Sequence, residues 1–374
     1  MALFTSLGLK NYRGFRNLSV PDLTRINLFV GTNNSGKTSF LEAVELLAAS
    51  PNLMAISRSA NRRGEYILQQ GEERSSPEVD ISHLFHGHTF TEGSAFALSG
   101  ERDTRVTFEC AVVATSLGER SSQQALPLPE TLESTPSEDL ALLLTFDGRQ
   151  EILPLTPSGG LPRAPSVYRR AVGQPSPEQT TPPTPVTFLT TESLEAFRLA
   201  KLWDSIVLTQ DEEKVISALR IIEPSVERIA FLTGDTPRYA SLGAIVIKLA
   251  GLAERVPLGS MGDGIRRLLA LTMALARSER GYFLIDEIDT GLHHSVMLEM
   301  WRLVIGMAST LDIQVFATTH SLDCVRSLAW LVSEEPDLCS DLVSLHRLSR
   351  GGDTTVRYSA QELTIAAHQH IEVR

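Results

Sequence analysis

The ten residues Gly31 to Phe40, GTNNSGKTSF, constrain this chain more than any other stretch. They read glycine, four residues, then Gly36-Lys37-Thr38, the spacing of a phosphate-binding loop. Such a loop works only between a strand and a helix, and the flanks predict both. Ile26-Asn27-Leu28-Phe29-Val30 is a β-branched and aromatic run suited to a buried strand. After the loop, Phe40, Leu41, Val44, Leu47 and Ala48 recur at helical spacing. Gly31 and Gly36 let the backbone curl, so that the turn through Asn33, Asn34, Ser35 and Ser39 is expected to face phosphate oxygens. Lys37 is expected to reach the β and γ phosphates, and the Thr38 hydroxyl to bind Mg²⁺. The helix N-terminus adds partial positive charge.

Three further stretches say what the nucleotide is for. Tyr282-Phe283-Leu284-Ile285 predicts an apolar strand that ends in Asp286-Glu287. Asp286 is expected to hold Mg²⁺ through water and Glu287 to polarise an attacking water. GTPases and small-molecule kinases usually lack that second carboxylate, whereas ABC-type and related hydrolytic ATPases carry it. Ile313 to Ala317 predicts another buried strand, followed by Thr318-Thr319-His320-Ser321. A histidine one strand beyond the acidic strand resembles the switch histidine of ABC-type ATPases, which contacts the γ-phosphate. Ser260-Met261-Gly262-Asp263-Gly264 opens a nearly all-apolar helix that runs through Ala276. Ser260 or Asp263 alone reads as a helix cap. With Gly262 between them and Gly264 directly after, just upstream of the acidic strand, the turn resembles the ABC signature motif. There it binds the γ-phosphate of a nucleotide held by the other subunit.

In this order the four motifs resemble the RecF/SMC/OLD branch of ABC-type ATPases. Lys10-Asn11-Tyr12-Arg13-Gly14-Phe15 is similar to the opening strand of many members, whose basic residue, here Arg13, lies near the nucleotide. LWDSIVLTQDEEKVISALRIIEP, PLGSMGDGIRRLL and YSAQELTIAAHQHIEVR resemble stand-alone bacterial AAA-family ATPases related to the ATPase half of OLD nucleases. The resemblance implies ATP binding with Mg²⁺, slow hydrolysis, a homodimer or higher homo-oligomer, and a DNA-related or antiphage task. OLD proteins continue into a Toprim nuclease. Only 54 residues (374 − 320) follow His320, short of the roughly 100 typical of a separate domain. Any nuclease effector is therefore expected on another polypeptide. No sustained heptads replace the long SMC arms.

The fold expected is α/β: an ABC-type P-loop core with a mixed or parallel sheet, a β-rich sublobe and a helical insertion. Residues 1–50 and 243–374 read as the nucleotide-binding core of a single domain spanning 1–374. Residues 51–190 read as the sublobe, in which LALLLTFDGRQEILPL predicts a hairpin turning at Asp147-Gly148 between long Pro- and Ser-rich loops. Residues 191–242 read as the insertion, helical from Thr191 to Leu232 on the spacing of Leu194, Phe197, Leu202, Ile206, Val215, Ala218, Leu219 and Ile222.

Composition excludes little else. No run of about 18 apolar residues suggests a membrane span. The start lacks a secretory pattern, and Cys110, Cys324 and Cys339 lack metal spacing, so a cytoplasmic, reduced setting is expected. A net charge of −11 argues against a globally basic DNA binder. Arg58, Arg62 and Arg63 could form a local basic patch, or more simply a solvated charged face. Gln69 and Gln70 are candidates for the ABC Q-loop glutamine. Whether DNA is touched, or an effector is merely sequestered by an ATP-dependent scaffold, stays open at this level. A transporter subunit is disfavoured by the GDG spelling.

Overall fold

The computed structural model describes residues 3–49, 54–67, 78–115, 139–161, 184–190, 196–232, 244–339 and 341–369. The Pro- and Ser-rich stretches around the hairpin, and Gln69 and Gln70, fall outside them.

The chain starts with a hairpin, β1 (Ser6–Tyr12) and β2 (Phe15–Val20), then β3 (Ile26–Val30), the loop and α1 (Lys37–Ala48). α2 (Met54–Arg63) and the short β4 (Tyr66–Ile67) and β5 (Glu78–Val79) follow. The next strands are β6 (Ala95–Glu101), β7 (Arg105–Thr115), β8 (Asp139–Phe146), β9 (Arg149–Pro154) and β10 (Val186–Leu189). α3 (Ala196–Asp204) and α4 (Gln210–Leu219) precede β11 (Val226–Leu232), β12 (Ala244–Leu249) and β13 (Val256–Pro257). The rest alternates as α5 (Asp263–Ala276), β14 (Tyr282–Ile285), α6 (Met297–Thr310), β15 (Gln314–Thr318), α7 (Leu322–Glu334) and α8 (Pro336–Cys339). It closes with the hairpin β16 (Val343–Arg347) and β17 (Val356–Ser359), and α9 (Ala360–His368).

Two six-stranded sheets organise these elements. One is antiparallel, in the order β2-β1-β6-β7-β8-β9; the other runs β10-β14-β15-β3-β16-β17 and is parallel except for β17. In the second sheet both faces of the central strands are covered, so β3, β14 and β15 are buried at every position rather than alternating. Ile26, Leu28 and Val30 of β3 pack with α5, α6 and α7, while Phe29 points to the other side, against α1. There Phe29 meets Phe40 at a centroid distance of 4.3 Å and Phe316 at 6.4 Å. α1 is thereby wedged between the two sheets, buried along nearly its whole length. Each fully buried Leu or Phe contributes on the order of 2 kcal/mol, so the loop is anchored by the most heavily buried helix of this layer.

The predicted hairpin is observed as β8 and β9, turning at Asp147 (φ 45°) and Gly148 (φ 84°), the left-handed pair of a type I′ turn. One expectation is corrected. The helical reading runs to Leu232, but β11 occupies Val226–Leu232 and forms a three-stranded antiparallel sheet with β12 and β13. Pro224 lacks the amide a helix interior needs, and the preceding residue is pushed out of helical geometry. The helices end before it, at Leu219. Two assignments also cross the expected boundaries. β1 and β2 lie in the antiparallel sheet with β6–β9, and β10 joins the nucleotide sheet beside β14.

Candidate nucleotide site

The ends of β3, β14 and β15 converge on the loop. Gly31 must be glycine twice over: its φ is 151°, and a Cβ there would sit 2.4 Å from the Leu348 carbonyl oxygen. Gly36 has φ 97°, and its Cβ would meet Phe15 Cζ at 2.4 Å. The aromatic ring of the N-terminal NYRGF stretch therefore lies directly against the loop. Between the glycines, Asn33 and Asn34 are exposed, with Asn34 at φ 62°, while Ser35 is 3 % exposed and its Oγ has no hydrogen-bond partner among the described residues. The Ser39 hydroxyl accepts from Arg63 Nη2 at 3.1 Å, which turns it toward α2.

Lys37, 6 % exposed, folds back and donates to the carbonyls of Gly31 at 2.8 Å and Thr32 at 3.1 Å. Burial leaves its pKa below the ordinary lysine value, and the carboxylates of Asp286 and Glu287 offset only part of this. Thr38 Oγ1 donates to Asp286 Oδ2 at 2.8 Å, and Thr318 Oγ1 donates to Asp286 Oδ1 at 2.6 Å. The same Thr318 hydroxyl accepts from the Glu287 amide at 2.8 Å. Glu287 is held at φ 47°, a region that costs a non-glycine residue about 1–3 kcal/mol and persists only where the surroundings impose it. Its Oε2 accepts from Thr290 Oγ1 at 3.2 Å, and its Oε1 lies 3.7 Å from His320 Nε2. His320 Nδ1 lies 3.4 Å from Lys37 Nζ. A lysine ammonium only donates, so a bond there puts the neutral imidazole's proton on Nε2, facing Glu287. Lys37, Thr38, Asp286, Glu287 and His320 are thus brought together from three strand ends.

This set fits a hydrated Mg²⁺ nucleotide. Mg²⁺ takes one or two protein oxygens and fills its octahedron with water and phosphate. Neighbouring ligands in that octahedron stand roughly 3 Å apart, close to the 2.8 Å between Thr38 Oγ1 and Asp286 Oδ2. Among the described residues no group of three His, Cys, Asp or Glu is placed to hold a metal by itself.

Two predicted groups stand apart from this constellation. Ser260, Gly262 and Asp263 are exposed on the turn before α5. Gly262 (φ 87°) caps α5 with no side-chain hydrogen bond, and a Cβ on Gly264 would lie 3.1 Å from the Gly291 carbonyl oxygen. Arg13, 2 % exposed, spends its guanidinium on Glu42 at 2.9 Å, Glu65 at 2.7 Å and Ser59 at 2.9 Å. Burial lowers its pKa, but Tyr12, Glu65 and Glu42 more than reverse this and leave it raised. Arg58 and Arg63 are exposed and Arg62 is half-buried, so the three lie on a solvated face, but none is a free charge. They pair with Glu45 and Glu42, which are 3 % and 1 % exposed on α1. The sequence reading missed Phe15, whose signal was its place in NYRGF, and Arg267 of α5, whose guanidinium donates to the carbonyls of Asp286 and Glu287.

Residues 4–131 match the AAA ATPase domain family, and residues 188–324 match an AAA domain family whose description names the AbiEii toxin and the Type IV TA system. The first match contains the phosphate loop and the second contains Asp286, Glu287 and His320. The chain thus matches AAA-family ATPase domains over both parts of its nucleotide site. This ATPase is 22 % identical over 354 residues to a Helicobacter pylori protein named ATP/GTP phosphatase, with 89 % of each chain covered. Its fold is that of the SMC head, an ABC-type P-loop architecture. An SMC head bound to the C-terminal winged-helix domain of ScpA superposes with a TM-score of 0.51 at 14 % identity, covering 97 % of this ATPase and 99 % of that chain. The Pyrococcus furiosus Smc head domain with an extended coiled coil, bound to the C-terminal domain of ScpA, gives 0.51 at 12 % identity, with full coverage of both. Among the described residues no helix is long and apolar enough to cross a membrane.

Proposed function

We propose that this ATPase closes into a homodimer or larger assembly around Mg²⁺–ATP and uses hydrolysis to time its contact with a separate effector. In this reading Lys37, Thr38 and Asp286 of one subunit hold the phosphates. The Ser260–Gly264 turn of a second subunit completes the γ-phosphate site. Mg²⁺, held by Thr38 and Asp286, supplies charge neutralisation at the phosphates. Glu287 takes a proton from the attacking water, with His320 beside it to hold the γ-phosphate and sense its loss.

The observation that carries this reading is the split itself. Five residues of the hydrolytic set converge, while an uncapped helix N-terminus with two glycines stays exposed on the Ser260–Gly264 turn. Helix N-termini with free amides bind anions. The AbiEii and Type IV TA description of the family matched over 188–324 supports a defence setting, and a nuclease is the effector class we favour. Glu287→Gln should bind ATP but release it slowly, accumulating a closed assembly. Light scattering that detects no ATP-dependent gain in mass for this variant contradicts the shared site.

A second reading omits DNA: an ATP-dependent scaffold that sequesters its effector. The net charge of −11, and the engagement of Arg58, Arg62 and Arg63 by Glu42 and Glu45, favour it. DNA affinity that falls steeply with rising salt would return the balance to a DNA-bound ATPase, in repair or defence.

A further inference from the structure

Arg267 lies on α5, three residues after Gly264 and therefore on the same helical face. It is 7 % exposed among the apolar residues Leu268, Leu269 and Leu271 of an otherwise core-facing helix. Its described hydrogen bonds all go to backbone carbonyls: Thr190 at 2.6 Å, Asp286 at 2.9 Å and Glu287 at 2.8 Å. The Nε–H has no hydrogen-bond partner among the described residues. Burial leaves the guanidinium's pKa below its ordinary value, and Asp289, Asp286 and Glu287 offset only part of this. Burying such a charge is expensive, and a well-packed apolar side chain at the same place is often as stable or more so. Core packing alone therefore does not account for an arginine here. What it grips is the end of the acidic strand, where Glu287 sits at φ 47°. The Glu287 amide is fixed by Thr318 and its carbonyl by Arg267.

We propose that Arg267 is the positioning residue for Glu287, coupling the Ser260–Gly264 turn to the hydrolytic carboxylate of the same subunit. The turn and Arg267 ride on one helix. A shift of that helix when the turn meets a partner's phosphate moves the guanidinium, and with it the carbonyls that set the aim of Glu287. The inference rests on the proposed roles of Glu287 and of the turn. Lysine cannot reproduce it, because one ammonium on a flexible stem does not span carbonyls from two segments as the planar fork does.

The test compares Arg267→Lys and Arg267→Met with Glu287→Gln, and with Arg277→Lys at the exposed end of the same helix as control. Each whole chain is assayed for steady-state ATP hydrolysis, affinity for a non-hydrolysable ATP analogue, ATP-dependent mass and thermal melting. A misplacement of about 1 Å can cost a hundredfold in rate. Arg267→Lys is thus expected to lose about a hundredfold in kcat while keeping the wild-type melting temperature, analogue affinity and ATP-dependent mass. Arg267→Met should behave likewise, and Arg277→Lys as wild type. Turnover of Arg267→Lys within about twofold of wild type, well inside that expected loss, overturns the inference. So does a parallel loss of analogue affinity and turnover, or failure of both Arg267 variants to fold, since either marks a purely structural arginine. The underlying reading fails separately: Glu287→Gln would then hydrolyse ATP normally.

Discussion

Thr38 and Asp286, 248 residues apart in sequence, are joined by one hydrogen bond of 2.8 Å from the threonine hydroxyl to the aspartate Oδ2. That contact closes the phosphate loop onto the acidic strand. Asp286→Asn keeps an acceptor for one threonine and should fold normally. It removes the charge opposite the phosphates, so kcat is expected to fall by about a hundredfold or more, with half-maximal activity shifted to higher Mg²⁺. A Mg²⁺ titration of ATP hydrolysis checks both.

Gly36 packs against Phe15 as closely as Gly31 does against the Leu348 carbonyl. Gly36→Ala adds a methyl at φ 97°, 2.4 Å from the ring, and should lose roughly 1–3 kcal/mol of stability together with ATP affinity. Phe15→Leu removes the obstructing ring carbons. Combined with Gly36→Ala, it should destabilise by less than the sum of the single changes, with a coupling of about 0.5 kcal/mol or more. Urea denaturation of the four proteins measures it.

Glu42 on α1 faces Arg13 at 2.9 Å and Arg63 at 2.8 Å, with the glutamate and Arg13 side chains 1 % and 3 % exposed. Removing Glu42 takes a charge-assisted bond from each arginine but leaves Arg13 its pair with Glu65. Glu42→Ala is therefore expected to cost about 1.5–3 kcal/mol, seen as a lower urea midpoint with the slope unchanged.

His346 is fully buried between Ser344 and Thr355, stacked on Phe29. Burial, helped by Arg357, pushes its pKa down from 6.5 to about 3. As pH falls below 6.5, the unfolded chain takes up a proton there and the folded chain does not. Stability is thus full above pH 6.5 and is lost progressively toward pH 3, by roughly 3–5 kcal/mol. His346→Gln should flatten this part of the urea stability profile.

The nucleotide half of the site was legible because its chemistry is local. The Gly31–Thr38 spacing, the Asp286-Glu287 pair at a strand end and His320 after the next strand each follow from a few adjacent residues, and the parallel sheet brings strand ends together. Arg13 and Phe15 show where this stops. Both lie in NYRGF, but only the fold puts the ring on Gly36 and the guanidinium among Glu42, Glu65 and Ser59. The pairing of the three arginines of α2 is not legible in the sequence because their carboxylate partners, Glu42 and Glu45, belong to another helix. β11 was misread because helical spacing was carried across Pro224. β10 was assigned to the wrong layer because four apolar residues do not say which sheet they join.

The shared ATP site is tested most directly by the mass of Glu287→Gln in solution, measured by light scattering with and without Mg²⁺–ATP. The account predicts a stable increase to a dimer or larger assembly with nucleotide, abolished by Lys37→Ala in the same chain. An unchanged mass at saturating ATP, with nucleotide bound, would contradict it.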